Sequence, residues 1–311
     1  MLRLQFEVFN LPEKLTIGGQ AVLEGVMMRS PRAFTVAVRK GGKPEAGIAI
    51  YKQELRPLGE RFPVLKKKII RGSAALFEAM WLGMRALNFS ANEALPEEDG
   101  KKEEISPMAM AGTMLLAVAF AIGLFLVLPL LLTNLLGTKY AMVGANSLLF
   151  NLTDGAFRVV LFLGYVSGIS FMKDIRRVFE YHGAEHKAIA AFEAGGSLTV
   201  QNARAYSRIH PRCGTSFLLT VIALSILLFS LIPGSWPIWA KGLSRLVLLP
   251  LIAGLGYEFI KYSAKHCANP VVKGLMQPGL WLQRLTTREP SDDQIEVAIR
   301  ALEEAVAMEP R

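Results

Sequence analysis

The 311-residue chain has only four histidines, and two of them stand four apart in His182-Gly-Ala-Glu185-His186. On a helix, residues i and i+4 share a face, so both imidazoles can reach one metal ion. Glu185 lies close enough to that face to orient a water. H-x-x-E-H is the inverted form of the zinc-hydrolase motif. Read that way, His182 and His186 are metal ligands and Glu185 is the general base. The alternative is a helix end whose imidazoles bond to backbone and whose Glu185 pairs with Lys187 or Arg176.

A catalytic zinc site needs a third protein ligand and an open position for water. Glu258 is one candidate, an ionisable residue inside an apolar stretch, where such groups default to a functional reading. Its alternative is an ion pair with Lys261. His210 and Cys213, in His210-Pro-Arg-Cys213-Gly-Thr, have an H-x-x-C spacing that suits a metal. Glu24 is out of place in the glycine-flanked apolar segment 18–29 (GGQAVLEGVMMR), where it pairs with Arg29 or enters the site. His266, beside Lys265 and Cys267, reads as part of a basic interfacial segment. Cys213 and Cys267 are expected as free thiols of a reducing compartment. Other chemistries lack their signatures. There is no G-x-G-x-x-G after a strand, no Walker loop and no G-x-S-x-G elbow. The basic residues lack the interleaved aromatics of a single-strand binder, so no nucleic acid partner is expected.

The elements that must position these residues are mostly membrane spans. Hydrophobic residues make up 52% of the chain, and mean hydropathy is +0.34. Four stretches are long and apolar enough to be candidates for spanning, at 110–132, 157–172, 214–232 and 246–260. Residues 1–10 lack the apolar core and cleavage site of a secretory signal, so the internal runs direct insertion. Of 35 lysines and arginines, 17 precede Met110, seven lie in 173–212 and seven from Lys261 onward. Under the positive-inside rule both termini and the middle loop are cytoplasmic, which agrees with an even number of spans.

Residues 34–40 and 47–55 alternate as strands around the turn-forming GGKPEA. Residues 65–88 are basic at the start and carry Leu76, Met80, Met84 and Leu87 at helical spacing. They predict an amphipathic helix, either on the membrane surface or facing the core of the soluble part. Residues 96–104 are a charged linker, and Ser291-Asp-Asp-Gln294 is a capping box that starts a helix over 292–308. The expected architecture is an α-helical polytopic membrane protein of about four spans with a small N-terminal α+β cytoplasmic portion. Its parts are a strand-bearing segment 1–64, an interfacial helix and linker 65–109, a bundle 110–262 with the His-rich loop 173–212, and a C-terminal segment 263–311.

Four blocks carry a resemblance: residues 18–29, 181–187 (YHGAEHK), 210–217 (HPRCGTSF) and 278–297 (PGLWLQRLTTREPSDDQIEV). Together they resemble the YqhQ family of bacterial membrane proteins of unknown function, labelled predicted metal-dependent enzymes. The resemblance implies a plasma-membrane protein in which His182, Glu185, His186, His210 and Cys213 act together, with Glu24 as a further candidate. The expectation is a zinc-dependent membrane hydrolase with its site at the cytoplasmic face, acting on a lipid-linked substrate or a membrane protein. The alternative is a non-catalytic assembly or scaffold protein with a structural metal or polar histidine cluster. A transporter would need more intramembrane ionisable groups than Glu258 and Asp154.

Overall fold

The computed structural model describes residues 15–95, 106–266 and 268–309, so the charged linker and Cys267 lie outside the described residues. Four strands, β1 (Gly18–Val22), β2 (Gly25–Arg29), β3 (Ala33–Arg39) and β4 (Ile48–Glu54), form an antiparallel meander in that order. The principal helices are α1 (Ile70–Ala94), α2 (Met108–Lys139), α3 (Ser147–Ile169), α4 (Lys173–Glu193), α5 (Gly214–Phe229), α6 (Ile238–Lys265), α7 (Pro270–Thr286) and α8 (Asp292–Ala307).

All seven residues of β3 are buried because helices cover both faces of the sheet. Side chains alternate across a strand. Phe34, Val36 and Val38 therefore pack with Val22 and Met27 on Leu82 and Ala86 of α1. Ala37, with Val26 and Met28 of β2, meets Tyr181, Ala184 and Ala188 of α4 and Ile295, Ala298 and Leu302 of α8. Thr35 on that same face donates its hydroxyl to Ala301 O of α8 at 2.7 Å. The N-terminal and C-terminal segments, expected as separate parts, thus share one core. The capping box at the start of α8 is present, with Ser291 N–H donating to Gln294 Oε1 at 3.0 Å.

Among the described residues, three helices are long and apolar enough to cross a membrane: Met108–Lys139, Ser147–Ile169 and Ile238–Ser263. Their large apolar side chains face outward, as Leu115, Leu116 and Phe120 of α2 do. The fourth expected span, α5, is only 16 residues, or about 24 Å at 1.5 Å per residue. That falls short of a hydrocarbon core of about 30 Å.

Helix α1 meets the expectation of a helix facing the core of the soluble part, and it also contacts the apolar bundle. Its C-terminal half covers the sheet, while its start is bolted to α6. Arg71 Nε donates to Glu258 Oε1 at 2.5 Å, and Ser73 Oγ donates to the carbonyl of Pro250 at 2.6 Å. The two helices approach so closely that a Cβ on Gly254 would stand 2.4 Å from Ile69 O. Outside these contacts, Phe77, Met80 and Trp81 are exposed apolar residues. Overpacking such a contact costs about 1–3 kcal/mol. We therefore expect Gly254→Ala to lower the Tm by several degrees in thermal unfolding of the detergent-purified protein. Gly164→Ala, whose Cβ would meet nothing within 4 Å, should leave it unchanged.

Candidate metal centre

Helix α4 carries the H-x-x-E-H motif, and each residue of 181–187 has a separate partner. Glu185, His186 and Lys187 are 5%, 2% and 4% exposed, a burial that polar groups tolerate only when hydrogen-bonded. Tyr181 donates to Glu24 Oε2 at 3.3 Å. His182 Nδ1 donates to Thr286 O at 2.8 Å, and His186 Nδ1 donates to Arg208 O at 2.6 Å. Lys187 Nζ donates to Arg204 O and Tyr206 O at 2.9 and 2.8 Å and pairs with Glu289. That lysine fixes the loop that presents Arg208 O to His186. Gly183 lets the segment after α7 lie against the helix, since a Cβ there would stand 2.1 Å from Arg288 O.

Two consequences follow for the imidazoles. With Nδ1 carrying the proton, each Nε2 presents a lone pair, the orientation that carbonyl partners impose on metal-binding histidines. The rings sit 4.5 Å apart, centroid to centroid. Cys213, buried at the N-cap of α5, stands 3.2 Å from His182 Nε2, so its thiol is the donor there. It also receives the Thr215 N–H at 3.4 Å, at a helix end whose dipole favours negative charge. The ligand atoms of His182, His186 and Cys213 all lie within 4.8 Å of one another. His186 Nε2 is buried with no hydrogen-bond partner. An orphaned lone pair beside a thiol and a second imidazole fits a borderline-soft divalent ion such as zinc. Burial lowers the pKa of His186 below the usual histidine range, holding it neutral as a metal ligand must be.

The remaining expected residues fall around this cluster. His210 packs against it, its ring 5.8 Å from that of His186, but Nε2 donates to Glu193 at 3.3 Å. Burial lowers its pKa to about 4, so that contact is a neutral hydrogen bond at pH 7. Gln283 of α7 clamps the same segment, accepting from His210 N and donating to His210 O, each at 2.8 Å. Glu185 turns toward β1, so close to Gly19 that a Cβ there would lie 2.7 Å from Glu185 Cγ. Burial raises its pKa, opposed by His182, His210 and the Gly19 N–H.

Two candidates lie elsewhere. Glu258 is not the third ligand: Arg71, rather than Lys261, holds it at the α1–α6 junction. Glu24 occupies the β1–β2 turn at φ 52° and pairs with Arg177, not Arg29. The left-handed backbone is unusual for glutamate and is held by that ion pair and by Tyr181. His266 is exposed and stacks on Tyr262. Sequence reasoning missed Lys187, Gln283 and Thr286; Gln283, polar in an otherwise apolar helix face, was the visible signal.

The fold and site define a class: an apolar helical bundle capped by a sheet layer, with a His–His–Cys cluster at their junction. The chain belongs to the family described as protein of unknown function (DUF1385), whose model matches residues 68–308. It is 35% identical over 303 residues to the uncharacterized protein YqhQ of Bacillus subtilis (strain 168), covering 94% of this chain and 92% of that one. No solved structure matches it.

Because Gly183 sets the approach of Thr286 O to His182, Gly183→Ala should lower divalent-metal affinity by about 10-fold or more, the scale of losing an outer-shell partner. Isothermal titration with zinc checks this, with Gly168→Ala, whose Cβ meets nothing within 4 Å, as the comparison.

Proposed function

We propose that the chain is a multi-pass protein of the bacterial plasma membrane whose His182, His186 and Cys213 bind zinc and serve hydrolysis at the cytoplasmic face. The observation that carries this is the convergence of two Nε2 lone pairs on Cys213, each tautomer fixed by a backbone carbonyl, with His186 Nε2 otherwise unpartnered. His182, His186 and Cys213 would hold the zinc, which would supply Lewis-acid chemistry for hydrolysis. Glu185 is the residue suited to hold the proton, since burial raises its pKa above that of an ordinary carboxylate. His182 is only half-buried, so substrate approaches from its side. The junction of sheet layer and bundle suits a lipid-linked substrate or a peptide emerging from a membrane protein.

Chain parity supports four spans. The sheet, α4 and α8 share one core and so lie on one side. Helices α2 and α3 leave and return between sheet and α4. Helix α6 crosses between α4 and α8, so a further crossing is needed there, and α5, an apolar helix without charge, is our choice for it despite its length. The distribution of lysine and arginine assigns that side to the cytoplasm. A second reading is a scaffold protein with a structural metal site, favoured by the burial of His186 and Cys213.

Protein purified from zinc-supplemented cells should hold about one metal ion per chain by elemental mass spectrometry, and His186→Ala and Cys213→Ser should hold little. Equal, negligible metal in wild type and variants would overturn the metal reading. Glu185→Gln should keep the metal. In a strain lacking the chain, lipid and membrane-peptide mass spectrometry should show a species that wild type cleaves and Glu185→Gln does not. Equal clearance by both would remove Glu185 as base, and the absence of any species cleaved by wild type would leave the scaffold reading.

A further inference from the structure

The bundle contains a second concentration of charge, at the ends of the helices remote from the His–His–Cys centre. Asp154 of α3 receives Arg158 at 3.0 Å and Arg245 of α6 at 2.6 Å. Arg245 also donates to Asn151 Oδ1 at 3.1 Å. Both guanidiniums lie against the Phe229 ring, 4.9 and 5.2 Å from its centroid. One turn from Arg245 toward the helix end is Lys241, 7% exposed. Among the described residues Lys241 has no carboxylate partner, and its ammonium rests 4.1 Å from the centre of the Phe150 ring. The group is therefore three buried cations on one carboxylate, and Nε of both arginines is buried without an acceptor. Such an excess of charge inside an apolar bundle is costly unless an anion joins it.

The structure provides a place for one. Lys241 lines a cavity of about 370 Å³ together with Asn134, Thr138, Phe150 and Trp236. The cavity opens between the end of α2 and the starts of α3 and α6. Its volume falls in the range of small-ligand sites. Its walls combine a cation, two hydrogen-bonding side chains and an aromatic residue of the kind that sits at headgroup level.

We propose that this cavity binds the phosphate group of an anionic ligand, with Lys241 as its direct partner and Arg245 and Arg158 behind it. Lysine binds phosphate as a point charge, and the Asp154 network fixes the guanidiniums of Arg158 and Arg245 behind Lys241. Asn134 supplies hydrogen bonds to phosphate oxygens, Thr138 lines the wall with its hydroxyl donated to Leu135 O at 2.7 Å, and Trp236 closes the apolar side. The proposal rests on the membrane placement given above, but not on the metal centre.

The test uses full-length protein in detergent, with phosphatidylglycerol, diacylglycerol and inorganic phosphate as probes. Native mass spectrometry should show one retained phosphatidylglycerol and no retained diacylglycerol, and Lys241→Gln should weaken retention tenfold or more while Lys241→Arg restores it. Saturable binding of labelled inorganic phosphate in equilibrium dialysis, lost in Lys241→Gln, would instead identify a free anion as the ligand. Should Lys241→Gln fail to purify as a folded species, Asn134→Ala decides, with the same direction of effect expected. The proposal is overturned if wild type binds neither phosphate probe, or if the folded variants bind as wild type does. Metal content is measured alongside and should be unchanged, so loss of metal without loss of phosphate binding separates the two readings.

Discussion

Everything at the His–His–Cys cluster depends on burying the polar face of α4. A glutamate, a histidine and a lysine in succession are withdrawn from water. Withdrawal of such groups costs several kcal/mol each unless hydrogen bonds or charges replace the solvent. The replacements come from β1, from the 204–208 loop and from the segments flanking α7. No one of these elements makes sense alone. The carbonyls of Thr286 and Arg208 sit where they do because α4 needs acceptors. The same bonds leave two imidazole lone pairs pointing at a thiol.

The bundle is joined to this layer through a few specific contacts. Gln283 ties the segment of His210 to Ser216 at the start of α5, donating to its hydroxyl at 3.0 Å. Cys213 itself caps α5, so one apolar helix of the bundle begins at a candidate ligand. At the other edge, α1 grips the sheet by Leu82 and Ala86 and grips α6 by Arg71 and Ser73. Pro250 removes one helical hydrogen bond inside α6, and Ser73 holds the carbonyl of that same residue.

Much of this was legible from residue spacing. Apolar runs gave the long helices, alternation gave β3 and β4, and Ser291 with Gln294 gave the start of α8. The i, i+4 histidines and the H-x-x-C spacing identified all three members of the cluster. What was hidden has physical causes. The β1–β2 hairpin is short and glycine-rich, and its turn uses a glutamate at positive φ where a glycine or asparagine would have announced it. Glu258 looked like a ligand because an acidic residue in an apolar helix invites that reading, yet its partner is 187 residues away in sequence. The charge network of Asp154, Arg158, Lys241 and Arg245 went unrecognised because the residues lie on two helices separated by α4 and α5.

The pairing of β3 with α8 also constrains how the molecule is made. Thr35 and Ala301 are 266 residues apart, and the intervening chain includes every membrane helix. Chains emerge N-terminus first, and domains ordinarily close as they are synthesised. Here the strands must wait with one apolar face uncovered until α8 has been made, after all the intervening apolar helices. The sheet is thus a late reporter of biosynthesis: its last face closes only once α8 has been delivered to it.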